Sequence, residues 1–156
     1  LGKISQTSLT EGQTQEFVTL MGAVNDLENI GDIIETNLVT LGRHRIDEGV
    51  QISTPTLEVI EQFHATVLRS FDYALQAVTQ ENEEAAREVR NMKKVVNRMA
   101  AEAALHKAQR LVAPEPNRLA TYSLETDQLE SLKRIFYFCK RMARGVIPGA
   151  VGIAAD

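Results

Sequence analysis

The chain reads as an all-α protein, an up-down antiparallel four-helix bundle in a single domain, on three observations. Apolar residues recur at alternating three- and four-residue spacing through four long segments. No segment alternates apolar and polar residues as a half-buried strand would. The connections are short and carry Gly, Pro or Asn, which favours antiparallel neighbours. A length of 156 residues suits one domain and is enough to bury about two thirds of the unfolded surface without covalent staples.

The first helix is expected over about 10–46, opened by a capping box from either Ser8 with Glu11 or Thr10 with Gln13. Its core seam reads Phe17, Leu20, Val24, Leu27, Gly31, Ile34, Leu38 and Leu41, the spacing of a helix packed in a bundle at about 3.5 residues per repeat. Gly31 interrupts the seam, and a glycine inside a helix costs roughly 1 kcal/mol against alanine, so it points to close approach by a neighbour. Gly49 then breaks the chain. Thr54 as N-cap and Pro55 at the first helical position start a second helix over about 54–79, with Leu57, Ile60, His64, Val67, Phe71, Ala74 and Val78 as its seam. Asn82, followed by Glu83 and Glu84, starts a third helix over about 82–112, since carboxylates suit the positive end of the helix dipole. Its seam carries Val89, Met92, Val96, Met99, Ala103 and His106. Pro114 and Pro116 stop it, and the fourth helix, about 123–147, uses Leu129, Leu132, Phe136, Cys139, Ala143 and Val146.

Net charge is −4 and the cations are spread over several helices, which argues against a phosphate-tracking surface and so against nucleic acid as partner. The single cysteine rules out an internal disulfide, and its place on an apolar stripe marks Cys139 as a small buried hydrophobe. No apolar run approaches the roughly 20 residues that span a bilayer, and the N-terminus lacks a basic start followed by an apolar stretch. The chain begins at Leu1 instead of methionine, which points to excision from a longer polypeptide or to processing.

Three polar groupings carry the candidate chemistry. Glu28, Asp32 and Glu35 form an acidic stripe on the first helix. Glu61 and His64 have the Glu-x-x-His spacing of di-iron bundles, with Glu102 and His106 a near match, but antiparallel folding sets the two histidines about 12 Å apart along the bundle, too far for one dinuclear centre. Both histidines sit on apolar seams, where a neutral, hydrogen-bonded core histidine is the more common outcome. Lys140, Arg141 and Arg144, with Lys133 and Arg134, suit contact with phosphate, anionic lipid or a partner, and equally a solvated helix face. No Gly-rich phosphate loop, Cys-x-x-Cys pair or nucleophile–base–orienter set is present, so the chain does not read as an enzyme.

The stretch LENIGDIIETN, Leu27 to Asn37, resembles the first signature helix of the PhoU family, an acidic residue followed four positions on by aspartate and then by asparagine, here Glu28, Asp32 and Asn37. LESLKRIFYFCKRMAR, Leu129 to Arg144, is similar to the closing helix of the PhoU-like domain at the cytoplasmic C-terminus of bacterial sodium/phosphate cotransporters, and LHKAQRL, Leu105 to Leu111, falls where that subgroup carries a His-containing helix end. The resemblance implies a shortened relative of a fold built from two three-helix repeats. It also implies a transition metal (iron, manganese, nickel or zinc) held by the acidic pair, with Glu28, Asp32 and Glu35 as ligands, a use that hard carboxylate oxygens allow. Laying LENIGDIIETN over LESLKRIFYFC matches Glu28 with Glu130 but Asp32 with Arg134, so only Glu130 of a second acidic pair is retained. The competing use of the stripe is ion pairing across the bundle, for which antiparallel folding brings Lys140 and Arg144 to the height of Glu28 and Asp32.

The function implied is a regulatory or assembly domain of a sodium-dependent phosphate cotransporter on the cytoplasmic face of the bacterial inner membrane. Its partners would be the transmembrane transport domain of the same polypeptide or a second copy as a homodimer. A free-standing PhoU-type regulator of phosphate uptake and signalling is the alternative, and a di-iron or manganese carboxylate enzyme is the alternative from the catalytic class.

Overall fold

The computed structural model describes residues 10–111 and 118–147. The chain runs through α1 (Glu11–Asp32), a π-helical segment (Ile33–Leu38), α2 (Val39–Asp47), α3 (Thr54–Gln80), α4 (Glu83–Leu111) and α5 (Arg118–Val146). The protein is an all-α helical bundle. α1, the π segment and α2 form one continuous helical path, so the described residues make four long helical stretches.

The capping chemistry decides where each stretch starts. Thr10 is extended, its N–H donates to Gln13 Oε1 at 3.0 Å, and the Gln13 N–H donates back to Thr10 Oγ1 at 3.3 Å, a reciprocal box that satisfies two amides without helical partners. The alternative box with Ser8 lies outside the described residues. At α3 the N-cap is Ser53, one residue before the expected Thr54, because Ser53 is still extended while its carbonyl already accepts the Leu57 N–H at 2.9 Å. Pro55 remains in the first turn, where a missing N–H costs nothing. Between α3 and α4 the chain reverses through Glu81 in the left-handed region at φ 51°, and Asn82 Oδ1 then accepts the Ala85 N–H at 3.1 Å. α5 begins at Arg118, earlier than the expected 123, since the buried Thr121 and Leu124 already belong to its packing face. Pro114 and Pro116 lie outside the described residues.

α3, α4 and α5 pack on one another, and α1 with the π segment lies mainly along α5. The core joins Phe63, Val67 and Ala74 of α3 to Val89 and Val96 of α4 and to Leu132, Phe136 and Cys139 of α5. Ala74, Ala77 and Ala86 have no exposed surface, so α3 and α4 approach through small side chains at that level. The seams expected for α4 and α5 are the ones buried, with Met99, His106 and Val146 half-buried at their edges. On α3, Ile60, Val67 and Ala74 are buried as expected, but His64 is exposed and Phe63 takes the inward position beside it.

The first stretch departs most from its expected seam. Of the expected seam Phe17, Leu20 and Leu27 are half-buried, but Val24, Gly31 and Ile34 are exposed, and the fully buried positions are Ala23, Asp26, Ile30 and Ile33, one position out of step. Beyond the π segment Leu38 and Leu41 are half-buried, in step with the expected seam again. The reason is the π segment, where the Val39 N–H bonds the carbonyl of Ile34, five residues back, and the Thr36 hydroxyl bonds the Asp32 carbonyl at 2.5 Å. One extra residue enters the turn and rotates everything after it by about 100° relative to everything before it. A straight helix fitted to the later half therefore misses the earlier half by one.

Gly31 is not a point of close approach: a Cβ built there meets nothing within 4 Å. Gly31→Ala is therefore expected to raise the unfolding free energy by about 0.5–1 kcal/mol through helix propensity alone, read from urea denaturation. A loss of stability instead would mean that a neighbour covers the position.

Candidate binding site between α1 and α5

Asp26 occupies a position of the core-facing stripe of α1 that Ala23 and Ile30, continued by Ile33 in the π segment, otherwise fill with apolar atoms. Its side chain is only 3% exposed. Across the helix interface Arg141 of α5, with half its side-chain surface in solvent, places Nη2 at 3.3 Å from Asp26 Oδ1. The contact lacks hydrogen-bond geometry, and Oδ1 has no hydrogen-bond partner in the protein. Burial pushes the Asp26 carboxyl above its ordinary range, and the Arg141 guanidinium offsets this only in part.

The interface beside this pair is held open by small residues. A groove of about 300 Å³ runs between α1 and α5, with Asp26, Arg141 and Arg144 as its charged lining and Gly22 and Thr19 on the α1 wall. Toward its end the helices nearly touch, since a Cβ on Gly145 would lie 3.0 Å from Thr19 Cγ2, while Gly22 has open space where its side chain would be. Thr19 is fixed there by its hydroxyl, which donates to the Gln15 carbonyl at 3.0 Å. Arg141 and Arg144, three residues apart, present their cations from consecutive turns of one helix face.

Behind Asp26 lies Cys139, wholly buried, its thiol pushed up to about 11 chiefly by burial, with a hydrogen bond to the Ser70 side chain acting the other way. It is a core filler, as its apolar stripe implied. Lys140 is half-buried, packs its ammonium over Phe136 at 5.7 Å and Tyr137 at 5.8 Å, and has its pKa lowered by burial and then by Lys93.

The expected carboxylate stripe is elsewhere. Glu28, Asp32 and Glu35 are all exposed, and Glu130 is exposed and bonded to Lys133 at 2.9 Å. Among the described residues no three His, Cys, Asp or Glu side chains gather within reach of one metal ion. The ion pair across the bundle joins Asp26 to Arg141, while Arg144 reaches the level of Thr19 and Gly22. Register along α1 thus differs by more than a turn from the expected facing of Arg144 with Glu28. Glu61 and His64 are exposed on α3; Glu102 pairs with Arg98 at 3.7 Å; and His106 Nε2 meets Thr56 Oγ1 at 3.0 Å, the hydrogen-bonded role expected of it. Sequence reasoning passed over Asp26. Its signal is a carboxylate in the 3,4 series 23, 26, 30, 33, visible only once the seam is shifted by one.

Residues 60–146, from the first third of α3 to the end of α5, match the family model described as the PhoU domain, a span of more than half the chain. The chain belongs to the PhoU domain family. The PhoU match covers the mutually packed unit α3–α4–α5 and supplies Arg141 and Arg144, whereas α1, with Asp26, lies before it. The groove is therefore built where the PhoU unit meets the preceding helix. No curated relative and no solved structure matches the chain significantly. Among the described residues no helix of this PhoU chain is long and apolar enough to cross a membrane.

Proposed function

We propose that this PhoU domain is the regulatory and assembly domain of a sodium-dependent phosphate cotransporter, working on the cytoplasmic face of a bacterial inner membrane. The PhoU match over α3–α5 carries the reading, since that family points to a regulatory role in phosphate handling without catalysis. The likeness of Leu129 to Arg144 to the closing helix of cotransporter tails narrows it. In this reading the bundle packs against the transmembrane portion of the same polypeptide or against a second copy. The outer side of α1 and the π segment offers apolar surface for that packing, with Val24 and Ile34 exposed at 45% and 46%.

The test is an immunoblot of fractionated source cells with an antibody to this domain. A band well above 17.3 kDa in the membrane fraction is the expected result. A soluble band at 17.3 kDa would overturn the transporter reading and favour a free-standing PhoU regulator.

A further inference from the structure

We propose that the outer face shared by α4 and α5 docks on an anionic phospholipid surface, setting Arg90, Lys93, Lys94 and Lys140 among the headgroups with Tyr137 beside them.

The distribution of charge leads there. Net charge is −4, yet 89–101 on α4 and 131–147 on α5 hold nine of the 17 Lys and Arg residues and none of the 21 Asp and Glu residues. Folding sets those two stretches side by side. Lys107 Nζ donates to Thr126 Oγ1 at 3.0 Å, and the Lys140 pKa is lowered by burial and then by the nearby charge of Lys93, two pairings that fit a single antiparallel register. In that register 89–101 runs along 132–144. Arg90, Lys93 and Lys94 are exposed on one side of α4, and Lys133, Tyr137 and Lys140 follow one another along the adjoining side of α5. Among the described residues none of Arg90, Lys93, Lys94 and Lys140 pairs with a carboxylate. Like charges gathered without counter-charge repel one another, and an external anionic surface relieves that repulsion.

The texture of the face selects the partner. A protein interface needs an apolar centre that water leaves, and lysine is scarce in such centres. On these two stripes the exposed hydrophobic ring is that of Tyr137, 51% exposed, with the Lys140 ammonium 5.8 Å from its centroid. A headgroup layer asks for less: cations spread over a plane, each worth roughly a fivefold gain in partition, and an aromatic ring with a polar tip at the water boundary. Carboxylates are kept clear of that plane. Glu28 and Asp32 are exposed about half a turn from the Asp26–Ile30 stripe that meets α5, so they point away from it. The choice of lipid among anions rests on the membrane-face reading above, whereas the charged face stands without it.

The experiment is co-sedimentation of the whole chain at pH 7 with vesicles of phosphatidylcholine alone and of phosphatidylcholine with phosphatidylglycerol in equal parts. Expected is binding about tenfold or more tighter to the phosphatidylglycerol vesicles, weakening as salt rises past about 0.1 M because exposed charges are screened. Lys93→Gln with Lys140→Gln should weaken it about tenfold or more. Arg43→Gln with Arg69→Gln removes the same charge from exposed positions on α2 and α3 and should leave binding within about twofold of the parent. Equal losses in the two double variants would show that net charge acts without the face, and no preference for phosphatidylglycerol would turn the face over to another anion, such as an acidic protein segment. Either result overturns the proposal. So does release from the vesicles by a DNA duplex at equal phosphate concentration, which would assign the face to nucleic acid. A failed assay leaves the fractionation result standing, since a covalently tethered domain enters the membrane fraction whether or not its surface touches lipid. Vesicle binding by a chain found as a soluble 17.3 kDa band would keep the face and remove the transporter.

Discussion

Replacing Phe63 by alanine is expected to lower the unfolding free energy by about 3–5 kcal/mol, a large part of the roughly 5–15 kcal/mol that a domain of this size holds. Phe63 is 1% exposed and sits in the core that α3 shares with α4 and α5, so truncation removes a ring and leaves a cavity that rigid helices cannot collapse to fill. At roughly 2–4 °C per kcal/mol, the midpoint should fall by about 6–20 °C, read by circular dichroism during heating and by urea titration. Its neighbour provides the contrast. His64→Ala, on the exposed side of the same helix, should stay within about 0.5 kcal/mol of the parent. If the two substitutions cost the same, α3 is not seated as described.

The second large effect concerns the charge pair. Arg141→Met is expected to cost about 1–3 kcal/mol at pH 7, because it strips the cation from a carboxylate buried to 3% exposure. The lower part of that range is the better expectation, since half of the Arg141 side chain is in solvent and its field is screened. The pH dependence has a definite sign. Burial holds Asp26 above the ordinary aspartate value of 3.8, so the folded protein binds its proton more readily than the unfolded chain does. Such a group favours folding most below its unfolded pKa, and that contribution is lost as pH rises through the folded pKa. Removing Arg141 takes away the one influence that lowers the Asp26 pKa, so the folded value climbs further. The stability gap between parent and Arg141→Met should therefore be widest near pH 7 and shrink as pH falls toward 3.8. In an Asp26→Asn background the same substitution should cost little at any pH, a double-mutant cycle that isolates the pair. A gap that stays constant from pH 4 to 7 would show that Arg141 acts through packing alone.

How much of this was legible in the sequence varied from helix to helix. For α4 and α5 the apolar period is uninterrupted, and Val89, Val96, Leu132, Phe136 and Cys139 fall on the buried side as the spacing demands. The cap at Thr10 and the reversal near Asn82 were also readable, because both depend on contacts three residues apart. α1 was not readable in phase. Two apolar series, one through Phe17, Val24 and Gly31 and the other through Ala23, Ile30 and Ile33, run side by side on it. Only the π segment, whose hydrogen bonds no residue pattern announces, decides between them. The same phase hid Asp26: with the seam placed one residue later, Glu28, Asp32 and Glu35 were the carboxylates that stood beside it, and Asp26 drew no notice. His64 was misplaced for a different reason: His and Phe adjoin at 63 and 64, and the larger apolar ring wins the inward position.

The π segment also works as a set-screw between two rods. Everything before Ile33 is indexed to α5 through Ala23 and Asp26, and everything after Leu38 leads through α2 to the break at Gly49. Deleting a single residue between Ile33 and Leu38 would turn that segment into ordinary α-helix and swing one rod against the other by about a quarter turn. With α2 held by its connection to α3, Asp26 would be carried away from Arg141 and an apolar series now in water would face α5. The single supernumerary residue is thus what lets one helix keep a charge in the groove and still hand the chain on to the bundle at the right angle.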